Sequence, residues 1–143
     1  MSIKSLIIVL IQMICSVYIV FSGGIIPNNI FSIVILVLGL LLGIWAMLEF
    51  RFRFNIFPEL LSNSVLVTSG PYRFIRHPIY TAVLLITLAY VINHPTYINI
   101  PLWVILLVVL NIKLRYEERL LVERFKEYEA YRMKTKTLVP FII

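Results

Sequence analysis

Residues 30–48 read IFSIVILVLGLLLGIWAML, an apolar run interrupted only by Ser32, Gly39 and Gly43. A helix rises about 1.5 Å per residue and a bilayer core is about 30 Å thick, so about 20 such residues span it. Leu6 to Phe21 forms a second run, closed by Gly23, Gly24 and Pro27. Ile79 to Ile92 is a shorter stretch bounded by Pro78 and by Asn93-His94-Pro95. Pro101, suited to a first helical turn, opens a fourth run that stays apolar to Leu110 and passes through Asn111 into charged sequence. The last two runs are short for independent spans. They read as a helical hairpin turning through residues 93–100 and leaning on the longer pair.

Composition agrees. Of 143 residues, 61% are hydrophobic and 14% are charged, with no Asp, whereas a soluble domain carries roughly 25% charged residues. A water-facing surface cannot be built from this inventory. The wealth of Leu, Ile, Val and Phe excludes disorder, and a single cysteine, Cys15 inside an apolar run, excludes a disulfide scaffold. The expected fold is all-α and integral to the membrane, one domain over residues 1–143. It has four transmembrane helices at about 6–21, 30–48, 79–92 and 101–112, followed by a cytoplasmic C-terminal amphipathic helix.

Charge sets the expected orientation. Lys4 precedes the first run, Arg51, Arg53, Arg73 and Arg76 separate the second from the third, and eight more basic residues follow the fourth. Segments 22–29 and 93–100 contain no charged residue. The positive-inside rule puts both termini and the 49–78 loop in the cytoplasm. A cleaved leader over residues 1–22 fits poorly, because the apolar stretch is long and Phe21-Ser22 is a weak small-residue site.

Two segments hold the polar chemistry. The first runs from Ser64 to Tyr80 and contains the turn signal Ser69-Gly70-Pro71. In it, His77 precedes Pro78 and Tyr80, which places both side chains at the mouth of the third helix. Unpaired N–H groups and the dipole at that mouth favour a carboxylate. A plainer reading makes the segment a basic loop that holds lipid headgroups, with Tyr72, Phe74 and Tyr80 as interfacial anchors. No metal site is expected, since His77 and His94 fall on opposite sides of the membrane. The second segment is a helix expected from Asn111 to about Met133. Glu117 and Glu118 fall within its apolar stripe of Leu114, Leu121, Phe125 and Tyr128, one to each side of the midline, where a purely structural helix would place Leu. Those carboxylates are either partners in a salt bridge, to Arg76 or between Lys113 and Glu117 at i, i+4, or functional groups.

Together, Thr68-Ser69-Gly70-Pro71-Tyr72-Arg73, Arg76-His77-Pro78-Ile79-Tyr80 and Glu117-Glu118 with Leu121, Phe125, Tyr128, Tyr131 and Pro140 resemble one family. It is that of the isoprenylcysteine carboxyl methyltransferases and their bacterial relatives, integral membrane enzymes that use S-adenosylmethionine. The likeness covers about Ser64 to Pro140, and the first two runs carry no signature. The resemblance implies that Ser64, Val65, Leu66 and Val67 line a cofactor pocket. Tyr72, His77, Pro78, Ile79 and Tyr80 would close around the cofactor, and Glu117, with Glu118 beside it, would hold its amino-acid portion. Lys113 would meet the substrate's carboxylate, with Arg76 as a second basic candidate, which makes Glu117 and Lys113 the expected catalytic pair. The departures are Lys113 in place of Arg, Ala82 in place of a frequent Gly, and a shortened Phe125–Tyr128 spacing.

The residue types suit that chemistry. Aromatic faces such as Tyr72 and Tyr80 accommodate a sulfonium cation and an adenine, and Glu117 suits an ammonium. Methyl transfer needs an acceptor held about 3–3.5 Å from the methyl with water excluded. A carboxylate acceptor is already ionised at neutral pH and needs no base. The expected activity is therefore methyl transfer to a lipophilic, prenylcysteine-like carboxylate in a membrane, with a bacterial inner membrane the expected setting. The alternatives are a phospholipid amine as acceptor, a membrane NADPH-dependent reductase of the steroid 5-alpha-reductase type, or a non-catalytic membrane accessory protein. Expected partners are membrane lipids and a lipid-soluble or lipidated acceptor, with no nucleic acid.

Overall fold

The computed structural model describes residues 3–50 and 65–138, so Ser64 and Pro140 lie outside the described residues. Five helices appear in order: α1 (Ile3–Ser22), α2 (Ile30–Glu49), α3 (Pro78–Asn93), α4 (Asn99–Arg124) and α5 (Tyr128–Lys134), with a short 3-10 turn at Gly70–Arg73 before α3. There is no strand among the described residues. One isolated parallel bridge joins Ile75 to Lys136.

Among the described residues three helices, α1, α2 and α4, are long and apolar enough to cross a membrane. With α3 as a fourth, shorter apolar helix, this is the all-α architecture of an integral membrane protein. The reason α3 manages with 16 residues is burial. Tyr80, Ala82, Leu84, Ala89, Tyr90 and Val91 are all enclosed, whereas α1 and α2 expose rows of Leu, Ile and Val such as Ile14, Val37, Leu41 and Leu48. The inner helix meets protein and the outer helices meet lipid.

Packing between α2 and α3 explains Gly39 and Gly43. A Cβ at Gly39 would lie 3.1 Å from the backbone nitrogen of Ile86, and one at Gly43 would lie 3.3 Å from the Ala82 methyl. This small-xxx-small face lets the two backbones approach. On the other side α4 packs mainly along α1, and Cys15, Tyr80, Leu84, Leu106, Leu110 and Leu114 form the apolar interior between them.

The uncharged connections are tied by neutral hydrogen bonds. Asn29 caps α2 by accepting from the Phe31 N–H at 2.9 Å, and Asn93 Oδ1 accepts from the Asn28 N–H at 2.8 Å. Buried Asn99 donates from Nδ2 to Ser22 Oγ and to the His94 carbonyl, both at 2.9 Å. His94 caps the far end of α3 while His77 caps its start, so the two histidines sit at opposite ends of one helix.

Along α4 and α5 two expectations need correction. The fourth helix begins at Asn99, before Pro101, and runs without interruption through the site to Arg124. The helix expected through Met133 instead breaks at Phe125, whose φ of −114° and ψ of 112° are extended, before α5 resumes at Tyr128. The break reverses the chain and brings residues 135–138 alongside the 74–77 loop. There the Lys136 N–H donates to the Phe74 carbonyl (3.1 Å), the Arg76 N–H to Lys136 (2.8 Å) and the His77 N–H to Thr137 (3.1 Å). Thr81 Oγ1 fastens the strap by donating to the Leu138 carbonyl at 2.6 Å. No Gly or Pro marks this turn. Tertiary hydrogen bonding, which the local pattern does not record, is what ends the helix.

Candidate active site

The site grows from the entry to α3. Pro78 fills the first helical position, where a missing N–H is harmless, and biases His77 away from helical backbone. His77 and Tyr80, three residues apart, lie on one face, and their rings stack at 5.3 Å with a 7° interplanar angle. The Tyr80 hydroxyl donates to Glu117 Oε2 at 2.7 Å. His77 Nδ1 is 4.0 Å from that same oxygen, while His77 Nε2 is 3.3 Å from Glu118 Oε1. The α3 entry and the middle of α4 thus meet through two rings and two carboxylates.

The adjacent glutamates have different fates. Glu118 Oε1 accepts from Arg76 Nε at 2.6 Å. The remaining Arg76 donors reach the Thr135 carbonyl (2.6 Å), the Arg132 carbonyl (3.2 Å) and Thr137 Oγ1 (2.7 Å). Arg76, expected as a substrate contact, braces the loop, the strap and α4 through these bonds. Glu117, one residue away and so about 100° around the helix, keeps 27% of its side chain exposed against 14% for Glu118. Of the two salt-bridge pairings open in the sequence, Arg76–Glu118 forms. Lys113 forms no ion pair with Glu117 and donates from Nζ to Gln12 Oε1 at 2.8 Å, with the Tyr80 ring centroid 5.1 Å off.

Tyr72 closes the site from the 3-10 turn. It is buried, its ring meets Phe50 at 5.3 Å, and its carbonyl accepts from the Tyr131 hydroxyl at 2.6 Å. Burial pushes the Tyr72 phenol up, and the negative charge of Glu117 adds to the effect. Tyr131 is likewise pushed up to about 12, chiefly by burial. The preceding turn needs its glycine: Gly70 has φ +57°, and a Cβ there would lie 2.8 Å from Glu49 Oε2. Glu49 also accepts from the Ser69 hydroxyl, so the end of α2 pins the turn. Of the remaining expected residues, Ile79 lies in the first turn of α3 and partly buried Leu66 and Val67 precede Ser69, with Val65 exposed.

Tyr128 adds a feature that its position on an apolar stripe did not reveal. Its side chain is 1% exposed and its hydroxyl has no hydrogen-bond partner. Burial raises this phenol as well, and Glu118 and Glu117 add to the rise while Arg76 opposes it. Gln12, Glu49, Thr135 and Thr137 also escaped the reading of the sequence. Only Gln12 carried a signal, as an amide inside a membrane run.

A family model described as phospholipid methyltransferase matches residues 27–128. A comparison with curated proteins found no match. The matched segment covers well over half of the chain and includes α2, the Gly-Pro-Tyr turn, the His77–Tyr80 pair and both glutamates. With those elements inside the match, the chain belongs to the phospholipid methyltransferase family.

Proposed function

We propose that the protein uses S-adenosylmethionine to methylate a membrane-embedded acceptor, with the basic end of the bundle facing the cytoplasm. The cofactor would supply a methyl group activated by its sulfonium charge. Its fit to the residues present rests on Glu117 and Tyr128. Glu117 is a partly open carboxylate, and the Tyr80 hydroxyl and the stacked His77 hold it in position. It suits an ammonium through a charge-assisted hydrogen bond. Tyr128 offers a buried hydroxyl that lacks a partner, and such groups are costly unless something completes them. Tyr72 and Tyr80 provide the aromatic faces a cation and a flat base favour. The first-turn N–H groups of α3 at Ile79 and Tyr80 have no carbonyl one turn back within the helix, which suits a carboxylate.

In this reading the chain's own residues position and exclude water more than they move protons. Glu117 and its two ring partners orient the donor. Lys113, on the same helix one turn away, attracts the acceptor's negative group toward that donor. The Arg76–Glu118 brace fixes α4 against the loop, so the 2.7 Å bond from Tyr80 to Glu117 keeps its geometry. A carboxylate acceptor needs no general base, in keeping with the cation at Lys113. A second reading, a phospholipid amine as acceptor, is favoured by the family description. Lys113 would then meet the lipid phosphate instead.

The observation that carries the proposal is the split between Glu117 and Glu118. Glu117→Gln should weaken S-adenosylhomocysteine binding by about 10- to 100-fold, the range of a lost charged hydrogen bond, with little change in the unfolding temperature in detergent. Unchanged affinity would overturn the cofactor assignment. Incubating membranes with a methyl-labelled donor then separates the acceptors, since a methyl ester releases labelled methanol in base and a methylated amine does not.

A further inference from the structure

Lys113 carries a charge into the helix bundle at 2% exposure. Its Nζ donates to the neutral amide oxygen of Gln12 at 2.8 Å and faces the neutral Tyr80 ring at 5.1 Å. Removing an ion from water costs several kcal/mol unless an opposite charge offsets it, and neither contact supplies one. Glu117, one turn further along α4, acts on this charge only from a distance, with no ion pair between the two side chains. Among the described residues the ion pairs at this end run from Arg76, His77 and Arg132 to carboxylates, with none from Lys113.

The partner's origin matters as much as its neutrality. Gln12 belongs to α1, ahead of residue 27, where the family match begins. The seam between α1 and α4 is tied by Asn99–Ser22 near the end of α1 and by Lys113–Gln12 near its middle. Cys15, one turn on from Gln12, joins the apolar interior with Leu106 and Leu110. An anion that reached this seam would meet at Lys113 a cation with no ion-paired carboxylate.

We propose that Gln12 is an acceptor-specificity residue. It holds the Lys113 ammonium with a weak, displaceable neutral acceptor, so that the oxyanion of an incoming amphiphile takes the place of the amide oxygen at Nζ. The ligand class is a membrane amphiphile with a carboxylate or phosphate head, and an ammonium head is repelled. The inference rests on the acceptor role given to Lys113 above, and it makes α1 the helix that sets that role.

Equilibrium binding tests this with the purified full-length protein in neutral detergent and no methyl donor. The probes are palmitate, hexadecyl phosphate and uncharged palmitamide. The wild type should bind at least one anion tenfold or more tightly than the amide, and whichever anion binds better identifies a carboxylate or a phosphate source. Gln12→Glu supplies Lys113 with a permanent counter-ion. It should bring the anions to within about twofold of the amide while leaving S-adenosylhomocysteine affinity unchanged. Gln12→Leu should bind the anions at least as tightly as the wild type. No anion preference in the wild type, or a preference that survives Gln12→Glu, would overturn the proposal. If Gln12→Glu does not fold, weaker anion binding by Gln12→Leu overturns it alone. A wild type that ignores S-adenosylhomocysteine yet prefers anions would remove the methyl-donor reading and leave this one intact.

Discussion

The two ends of the bundle treat buried polar groups differently. Where the uncharged connections lie, the polar groups are neutral and mostly closed on each other: Asn99 on Ser22 and His94, Asn93 on the Asn28 and Asn29 N–H groups, and the Tyr90 hydroxyl on the Ile25 carbonyl. Ser32 there has an unpaired hydroxyl, again a neutral group. At the basic end the pairing is uneven and involves charge. Arg76 and Glu118 are paired with each other, while Lys113 has only neutral contacts and the Tyr128 hydroxyl has no hydrogen-bond partner. A closed network fixes positions; an open one costs stability and persists where a ligand completes it. Under the proposed function, the boundary between architecture and chemistry falls between two consecutive residues of α4, with Glu118 on one side and Glu117 on the other.

The largest test of that boundary is Arg76→Met. Removing one partner of a buried ion pair costs about 3–5 kcal/mol, and here the carbonyls of Arg132 in α5 and Thr135 in the strap lose their donor as well. Thermal unfolding in detergent should drop further than for any substitution at the other end. Hydrogen exchange at residues 135–138 should rise in step. A variant that unfolds normally while losing S-adenosylhomocysteine binding would place Arg76 with the chemistry and dissolve the distinction.

At the uncharged end, Asn99→Leu removes a donor to Ser22 and His94 and should cost about 1–3 kcal/mol. Cofactor affinity should stay the same once the protein is folded, because Asn99 lies at the start of α4 and Glu117 several turns along it. A selective loss of affinity would mean that the two ends are coupled, and the comparison would need redrawing.

How much of this was legible beforehand follows from the reach of each interaction. The apolar helices were readable, three of the described ones long enough to cross a bilayer, because the bilayer imposes a length on each apolar run. His77, Tyr80 and Glu117 were readable as candidates through their motif, and the structure does bring them together. The fates of Glu117 and Glu118 were not readable. Neighbours on a helix point about 100° apart, and which one meets Arg76 depends on a loop 42 residues earlier in the chain. The break at Phe125 was hidden for the same reason, since its cause is a strap that hydrogen-bonds to residues far away in sequence. Gly39 and Gly43 looked like interruptions in a span and are in fact its closest packing surface.

The finest test concerns Tyr128. A buried hydroxyl without a partner costs about 1–3 kcal/mol, so Tyr128→Phe, which deletes only that oxygen, should leave the ligand-free protein as stable as before or slightly more so. If the hydroxyl is completed by bound donor, the same change should weaken S-adenosylhomocysteine binding several-fold, in line with about 0.5–1.5 kcal/mol for one neutral hydrogen bond. Stability and affinity would then move in opposite directions for a single atom. A purely structural tyrosine would not behave this way, because its loss moves both together or affects stability alone. Melting temperature and affinity measured on the same preparation are enough to decide. A drop in stability with unchanged affinity would move Tyr128 to the closed side of the boundary, beside Arg76 and Glu118.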